Sequence, residues 1–338
     1  MKLEVIHECI TDPDLLIQGH RIHDGFVFQA IRHPANVFDA ILIRNPSSAR
    51  GFGDAMSASA RSLDDHIEFI NQYGIDKAIV IAEDISFLNK CPSIKHLNVV
   101  PSIACGDNFD FSPLYKHPAI RSLYCRTIYG KYDENELKID YSRISGLEDL
   151  TVHTVSNQEY RRIPTLKKLS ISQYCGSDLK ELFCSKDLDT LEMNSCRIRN
   201  LDGIEAALKL QCVYLTHNRQ LEDISSLRKV RQTIRALRIS KCPKIKDFSV
   251  LSKLENLEYL FLEGGNSIPS LKFLDLLPNL KTLICCMEIS DGDLTPCMRL
   301  SYVHCGRIRK HYNLKAHDLP KEIYYRGNEN IEPWRRVQ

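Results

Sequence analysis

Residues 257–286 read LEYLFLEGGNSIPSLKFLDLLPNLKTLICC, and two stretches inside them match: LEYLFL from Leu257 and LKTLIC from Leu280, 23 positions apart. Each has apolar residues at its first, fourth and sixth places. Carried outward, the same unit begins at Ile75, Ile94, Ile120, Leu147, Leu166, Leu188, Leu210, Ile234, Leu257, Leu280 and Leu300, at intervals of 19 to 27 residues. A weaker twelfth copy, PKEIYY, begins at Pro320. The fourth place is always Ala, Leu or Val, and the sixth is aliphatic, Met or Cys. The second place played no part in choosing the starts, yet it is polar in all eleven copies, from Asp76 and Lys95 to Lys281 and Ser301. That independent regularity makes the repeat a property of the chain.

The physical reading follows from side-chain direction. Residues two apart in an extended segment share a face, so the fourth and sixth places point to one side of a short strand. A single copy cannot bury that side. Neighbours must stack into a solenoid with a continuous core and a parallel sheet along its concave side. Between strands, apolar residues recur every third position: Leu221, Ile224 and Leu227, then Ile245, Phe248, Leu251 and Leu254, then Ile268, Leu271, Leu274 and Leu277. This spacing suits single tight helical turns on the far side.

The pattern resembles the leucine-rich repeat, LxxLxLxxN/C, over about residues 75 to 325. The position eight after the start, where that family carries Asn or Cys, holds Cys196, Asn218 and Cys242. LQCVYLTHN and IRALRISKC are the best matches, and the spacing resembles the short bacterial internalin-like repeats. Gly265 and Glu288 depart from the pattern. The resemblance implies that Asn or Cys at the bend bonds backbone groups freed where the strand ends.

Residues 1–74 do not follow the repeat. KLEVIHE, DGFVFQAI and DAILIRN read as strands. SLDDHIEFINQYG reads as a helix capped by Ser62, with Asp65 three residues on and Gly74 at its end. A small α/β cap covering the open end of the solenoid is the expectation. The segment at 46–62 is small and polar, a surface loop without the spacing of a phosphate-binding loop. Long intervals place insertions at 106–118 and 129–145, where Tyr129, Tyr132 and Tyr141 are candidates either for partner contacts or for a decorated surface.

Bulk composition excludes several classes. The 338 residues are 43% hydrophobic and 26% charged with a net charge of +2, which is the balance of a folded protein and not of a disordered one. The 45 basic and 43 acidic residues argue against a nucleic-acid binder that relies on bulk charge. MKLEVIHECITDPDLL lacks the apolar core of a signal peptide, and no run approaches a membrane-spanning length. A cytoplasmic protein is the expectation. The 13 cysteines are then reduced thiols. Cys125, Cys285 and Cys305 occupy sixth, core-facing places, where Cys acts as a small apolar residue. The cluster Cys285, Cys286, Cys297, His304, Cys305 and His311 lacks metal-ligand spacing, as does the pair His20 and His23. No GxSxG, HExxH or kinase set is present.

The faces of the strands carry the functional reading. The third, fifth and seventh places point away from the core. The fifth place reads Ile79, Asn98, Tyr124, Thr151, Ser170, Glu192, Tyr214, Arg238, Phe261, Ile284 and His304, and the third adds Tyr259 and Tyr302. Aromatics and Arg dominate binding hot spots, whereas a solvated face favours small or charged residues. The sequence therefore predicts an α/β solenoid, a leucine-rich-repeat horseshoe with a parallel concave sheet. An N-terminal α/β cap (1–74) precedes the repeats (75–325), and a tail (326–338) follows them. The expected function is a non-catalytic protein-binding module with no cofactor and no metal, whose partner is another protein and not nucleic acid or a membrane. Candidate partner-binding residues are Tyr124, Tyr214, Arg238, Tyr259, Phe261, Ile284, Tyr302 and His304. Either an adaptor or an inhibitor, such as a toxin-neutralising immunity protein, suits such a face. The alternative is an enzyme or effector with its activity in residues 1–74 and the repeats as targeting module. Because the face residues point away from the core, trimming Tyr259 or Phe261 is expected to leave folding nearly unchanged.

Overall fold

Each of the eleven apolar triplets forms a strand, and burial is the reason. The fourth-place side chains, from Ala78 to Val303, are all at most 3% exposed, and the first and sixth places are buried with them. At about 25 cal/mol per Å² of apolar surface removed from water, this ladder is the main source of stability. The structure, a computed structural model, describes residues 27–32, 38–44, 62–101, 109–125, 139–153, 163–182 and 185–321. The expected strand KLEVIHE, the pair His20 and His23, the 46–61 loop, Tyr129 and Tyr132, and the 326–338 tail lie outside the described residues. The chain divides into two compact units, residues 1–165 and 166–338.

In the N-terminal unit, β1 (Val27–Arg32) and β2 (Phe38–Arg44) pair antiparallel. Strand β2 then runs parallel to β3 (Lys77–Ala82). β4 (His96–Pro101), β5 (Ser122–Cys125) and β6 (Asp149–His153) follow, each parallel to the one before. Helix α1 (Leu63–Tyr73) is held as its sequence indicates. Ser62 and Asp65 form a reciprocal capping box, and Gly74 ends the helix at φ 60°. The described part of the first insertion is packed rather than looped out. It holds α2 (Ser112–Lys116) with Leu114 fully buried, and the rings of Phe109 and Phe111 lie 4.8 Å apart. Tyr141, a candidate for contacts, is instead 5% exposed and belongs to the core.

The C-terminal unit stacks seven repeat strands in parallel register. They are β7 (Lys168–Ser172), β8 (Thr190–Asn194), β9 (Cys212–Thr216), β10 (Ala236–Ser240), β11 (Tyr259–Glu263), β13 (Thr282–Cys285) and β15 (Tyr302–His304). Their fourth places form one column, Leu169–Leu191–Val213–Leu237–Leu260–Leu283–Val303. A second small sheet pairs β12 (Ser267–Ile268) with β14 (Glu288–Ile289).

The polar second place has a backbone role. The carbonyl of Gln211 accepts hydrogen bonds from both Arg235 N (2.8 Å) and Ala236 N (3.0 Å), and the same fork recurs at Lys95, Asp189, Arg235 and Glu258. No second-place side chain is buried, so the fork sits at a wet rim where polar residues belong.

Opposite the strands, the apolar residues spaced by three line 3-10 turns such as Ser225–Val230, Ser249–Lys253 and Lys272–Leu276. Three residues per turn puts Leu271, Leu274 and Leu277 on one side, all fully buried. An acceptor two residues upstream starts many of these turns: Asp223 Oδ1 takes Ser225 N at 2.7 Å, and Asp247 Oδ1 takes Ser249 N at 2.8 Å. At the bend, buried Asn218 accepts from Cys196 N (2.8 Å) and donates Nδ2 to Met193 O (3.0 Å). The Cys196 and Cys242 thiols make longer contacts to backbone carbonyls at the equivalent place. One residue earlier, Gln173, Ser195, His217 and Lys241 all adopt positive φ, between 54° and 63°. This turn lets each N–H reach the next repeat, as Ser195 N does to Thr216 O at 2.9 Å.

The weak twelfth copy begins differently from the others. Lys321 forms an antiparallel bridge with Tyr302, and Val303 N donates to Pro320 O at 3.0 Å, where a stacked repeat runs parallel. Residues 322–325 of that copy lie outside the described residues.

Candidate binding face

The outward face of the C-terminal sheet is built from the places between the buried ones. In register, its fifth places run Ser170–Glu192–Tyr214–Arg238–Phe261–Ile284–His304. The structure thus brings Tyr214, Arg238, Phe261, Ile284 and His304 into one row. Tyr259 and Tyr302 stand in the adjoining third-place row, separated by Thr282. Tyr124 belongs to the N-terminal unit, in register with Asn98 and Thr151.

These side chains differ in how much water they meet. Tyr259 and Phe261 are only 8% and 6% exposed, packing with fully buried Ala236 into an apolar cluster flanked by Tyr214 and Ile284. This corrects the expectation that trimming either ring leaves folding unchanged. Strands lie about 4.8 Å apart, and rings wider than that must lean on their neighbours. Ala236, in register with Tyr259, supplies the room. Tyr214, Arg238, Ile284 and Tyr302 are half-buried, and His304 is exposed. The Lys321 ammonium lies 5.5 Å from the Tyr302 ring centre.

The Arg238 guanidinium carbon lies 4.3 Å above the Phe261 ring centre, a cation–π geometry. Its Nε is buried and has no hydrogen-bond partner. The carboxylates of the same face are occupied elsewhere. Glu192 accepts from Ser170 Oγ at 2.7 Å and pairs with Lys168 Nζ at 2.9 Å, and Glu263 accepts from the Ser240 hydroxyl. The Lys168–Glu192 pair was missed in the sequence because it joins a third place to a fifth place one strand over. A separate open cleft of about 810 Å³ is lined by Cys175, Ser177, Arg197, Arg199, Asn200 and Gln220. Cys175 and Arg197, nine after successive starts, were its signal in the sequence.

The thiols follow the repeat register. Cys125, Cys285 and Cys305 are buried at sixth places. Burial pushes the Cys285 thiol up to about 12, Cys196 to about 12 and Cys242 to about 11. Cys125 is raised for the same reason. Cys297 and Cys305 share a hydrogen bond that opposes ionisation of Cys297. Among the described residues no group of three or more His, Cys, Asp or Glu is placed to hold a metal ion. No helix among them is long and apolar enough to cross a membrane.

A strand with three buried places, a bend closed by Asn or Cys, and an apolar turn, repeated in register, define a leucine-rich-repeat protein. The chain is a leucine-rich-repeat protein of the α/β solenoid class. A stretch of 157 residues, 46% of the chain, is 27% identical to leucine-rich repeat-containing protein 56 of Rattus norvegicus. That stretch spans 23% of the relative's length. Among solved structures, the chain is similar to an internalin (inlF) from Listeria monocytogenes at 16% identity and a TM-score of 0.46, covering 78% of this chain and 86% of that one. It is also similar to the TLR13 chain of a TLR13–ssRNA13 complex at 16% identity and a TM-score of 0.38, covering 76% of this chain and 47% of that one. No family model matches the chain.

Proposed function

We propose that this chain is a non-catalytic, cytoplasmic protein-binding module whose partner docks on the outward face of the C-terminal unit, as adaptor or inhibitor. The observation that carries this reading is the row Tyr214–Arg238–Phe261–Ile284, in which half-buried Tyr214, Arg238 and Ile284 stand around buried Phe261 on paired strands. Such residues supply most of the energy at protein interfaces. Strands hold them in place before the partner arrives, which lowers the ordering cost of association. The face carries Lys168 and Arg238 against Glu192 and Glu263, a balance that suits a protein partner better than a polyanion. The pairing of β2 beside β3 supports the cap role for residues 1–74.

The test is affinity capture from the native source with the full chain and with a Tyr214→Ser, Ile284→Ser variant that melts normally. A protein retained by the first and lost by the second supports the reading. Equal retention by both places the interface elsewhere.

A further inference from the structure

We propose that the partner presents a carboxylate, an Asp or Glu side chain flanked by apolar residues, that seats on Arg238 between Tyr214 and Phe261. The proposal deepens the binding reading above and rests on it.

Arg238 is a poor choice for the fold alone. A guanidinium carries five donors in a planar fork and keeps its charge at every accessible pH. Here its Nε is cut off from water with no acceptor, and no hydrogen bond or ion pair reaches the group among the described residues. The equivalent places two strands away on either side hold Ser170's neighbour Glu192 and Ile284, and neither turns to it: Glu192 is held by Ser170 and Lys168, and Ile284 is apolar. Glu263, on the adjacent strand, is held by Ser240. Burying a donor without an acceptor is costly. An aliphatic side chain satisfies this place elsewhere in the repeat, at Ile79 and Ile284.

What the arrangement does provide is a fixed fork. Phe261 supports the guanidinium from beneath at 4.3 Å, which holds its plane and limits its motion. A carboxylate matches that fork with two parallel hydrogen bonds. Half-buried Tyr214 and Ile284 on the two sides add apolar surface, so the matching segment carries apolar residues next to its acid. A nucleic-acid phosphate shares the anionic chemistry, but a strand of phosphates lying on this row meets the Glu192 carboxylate as well and passes Glu263 two residues along from Phe261. A single carboxylate does not.

The experiment pans a phage-displayed random dodecapeptide library on the full 338-residue chain and measures the winning peptides by fluorescence anisotropy. The expected winners share an Asp or Glu between apolar residues. Replacing that acid by Asn or Gln, or replacing Arg238 by Met, weakens binding by about tenfold or more, the range for a hydrogen bond to a charged group. Arg238→Lys keeps the charge but loses the fork, and restores only part of the affinity. Winners that ignore Arg238→Met but are lost on Ile284→Ser overturn the carboxylate seat and leave the binding face standing. Absence of winners, or winners indifferent to both substitutions, removes the face itself and this proposal with it. A labelled single-stranded oligonucleotide that binds as tightly as the winners and depends on Arg238 overturns the proposal in favour of phosphate.

Discussion

Replacing Arg238 by Met separates what the fold needs from what the binding face needs. Met keeps most of the apolar stem of Arg and can pack against Phe261. The variant loses a cation–π contact worth about 0.5–2 kcal/mol. It also removes a buried Nε that has no hydrogen-bond partner, a penalty of about 1–3 kcal/mol. The difference of the two mid-range values favours the variant by about 1 kcal/mol. For a unit of this size that is a rise in Tm of about 2–4 °C. Urea unfolding followed by circular dichroism reads it directly, as a higher midpoint at unchanged slope. The neighbouring Leu237 provides the contrast. It is fully buried between Val213 and Leu260, so Leu237→Ala costs about 2–5 kcal/mol through the cavity it leaves. If Arg238→Met instead loses more than about 1 kcal/mol at constant slope, the guanidinium serves the fold and the reasoning about its cost is wrong.

Four further outcomes are expected. Asn218→Ala strands the Cys196 N–H and the Met193 carbonyl in the core and lowers stability by about 2–4 kcal/mol, measured by the same urea titration. Gly203 has φ 98°, and a Cβ there meets Lys180 N at 2.5 Å, so Gly203→Ala costs at least about 1–3 kcal/mol while Gly264→Ala, which meets nothing within 4 Å, does not. Among the described cysteines, Cys175 and Cys286 react with iodoacetamide at pH 8 in the folded protein, and Cys196, Cys242 and Cys285 only after unfolding; peptide mass mapping reads the difference. Because folding raises the Cys242 and Cys285 pKa values to about 11 and 12, their contribution to stability is intact below about pH 8.5 and falls as pH rises through that range toward 11 and 12. Cys242→Ala therefore makes unfolding free energy less pH-dependent in that window.

The strands were legible because burial repeats with the period of an extended chain, and eleven copies average out local irregularity. The far-side turns were legible for the same reason, as apolar residues every third position, though the acceptor that starts them was not read. Asp223-Ile224-Ser225, Asp247-Phe248-Ser249 and Asp293-Leu294-Thr295 show that this signal was present. The antiparallel start of PKEIYY was beyond the pattern, since a period of two looks the same read in either direction.

At the face, the sequence specified which residues point outward but not how they settle. Whether Phe261 and Tyr259 stand in water depends on the width of side chains on neighbouring strands. Ala236, brought beside Tyr259 of the next strand only by the repeat, decides it by being small. Arg238 goes one step further. Its lack of a partner depends on where Glu192 and Glu263 direct their carboxylates, and those choices are set by Lys168, Ser170 and Ser240. Local pattern, packing and polar pairing agree along the column Leu169–Val303, as they must in a sequence that specifies one structure. They part company at Arg238, one residue from that column, where a charge lies on an aromatic cluster without an acceptor. Disagreement of this kind is expected where a residue is retained for a contact made outside the chain. The same logic suits the proposed seat beside the most regular part of the array, where rigid neighbours can hold an unpaired guanidinium in place for a partner.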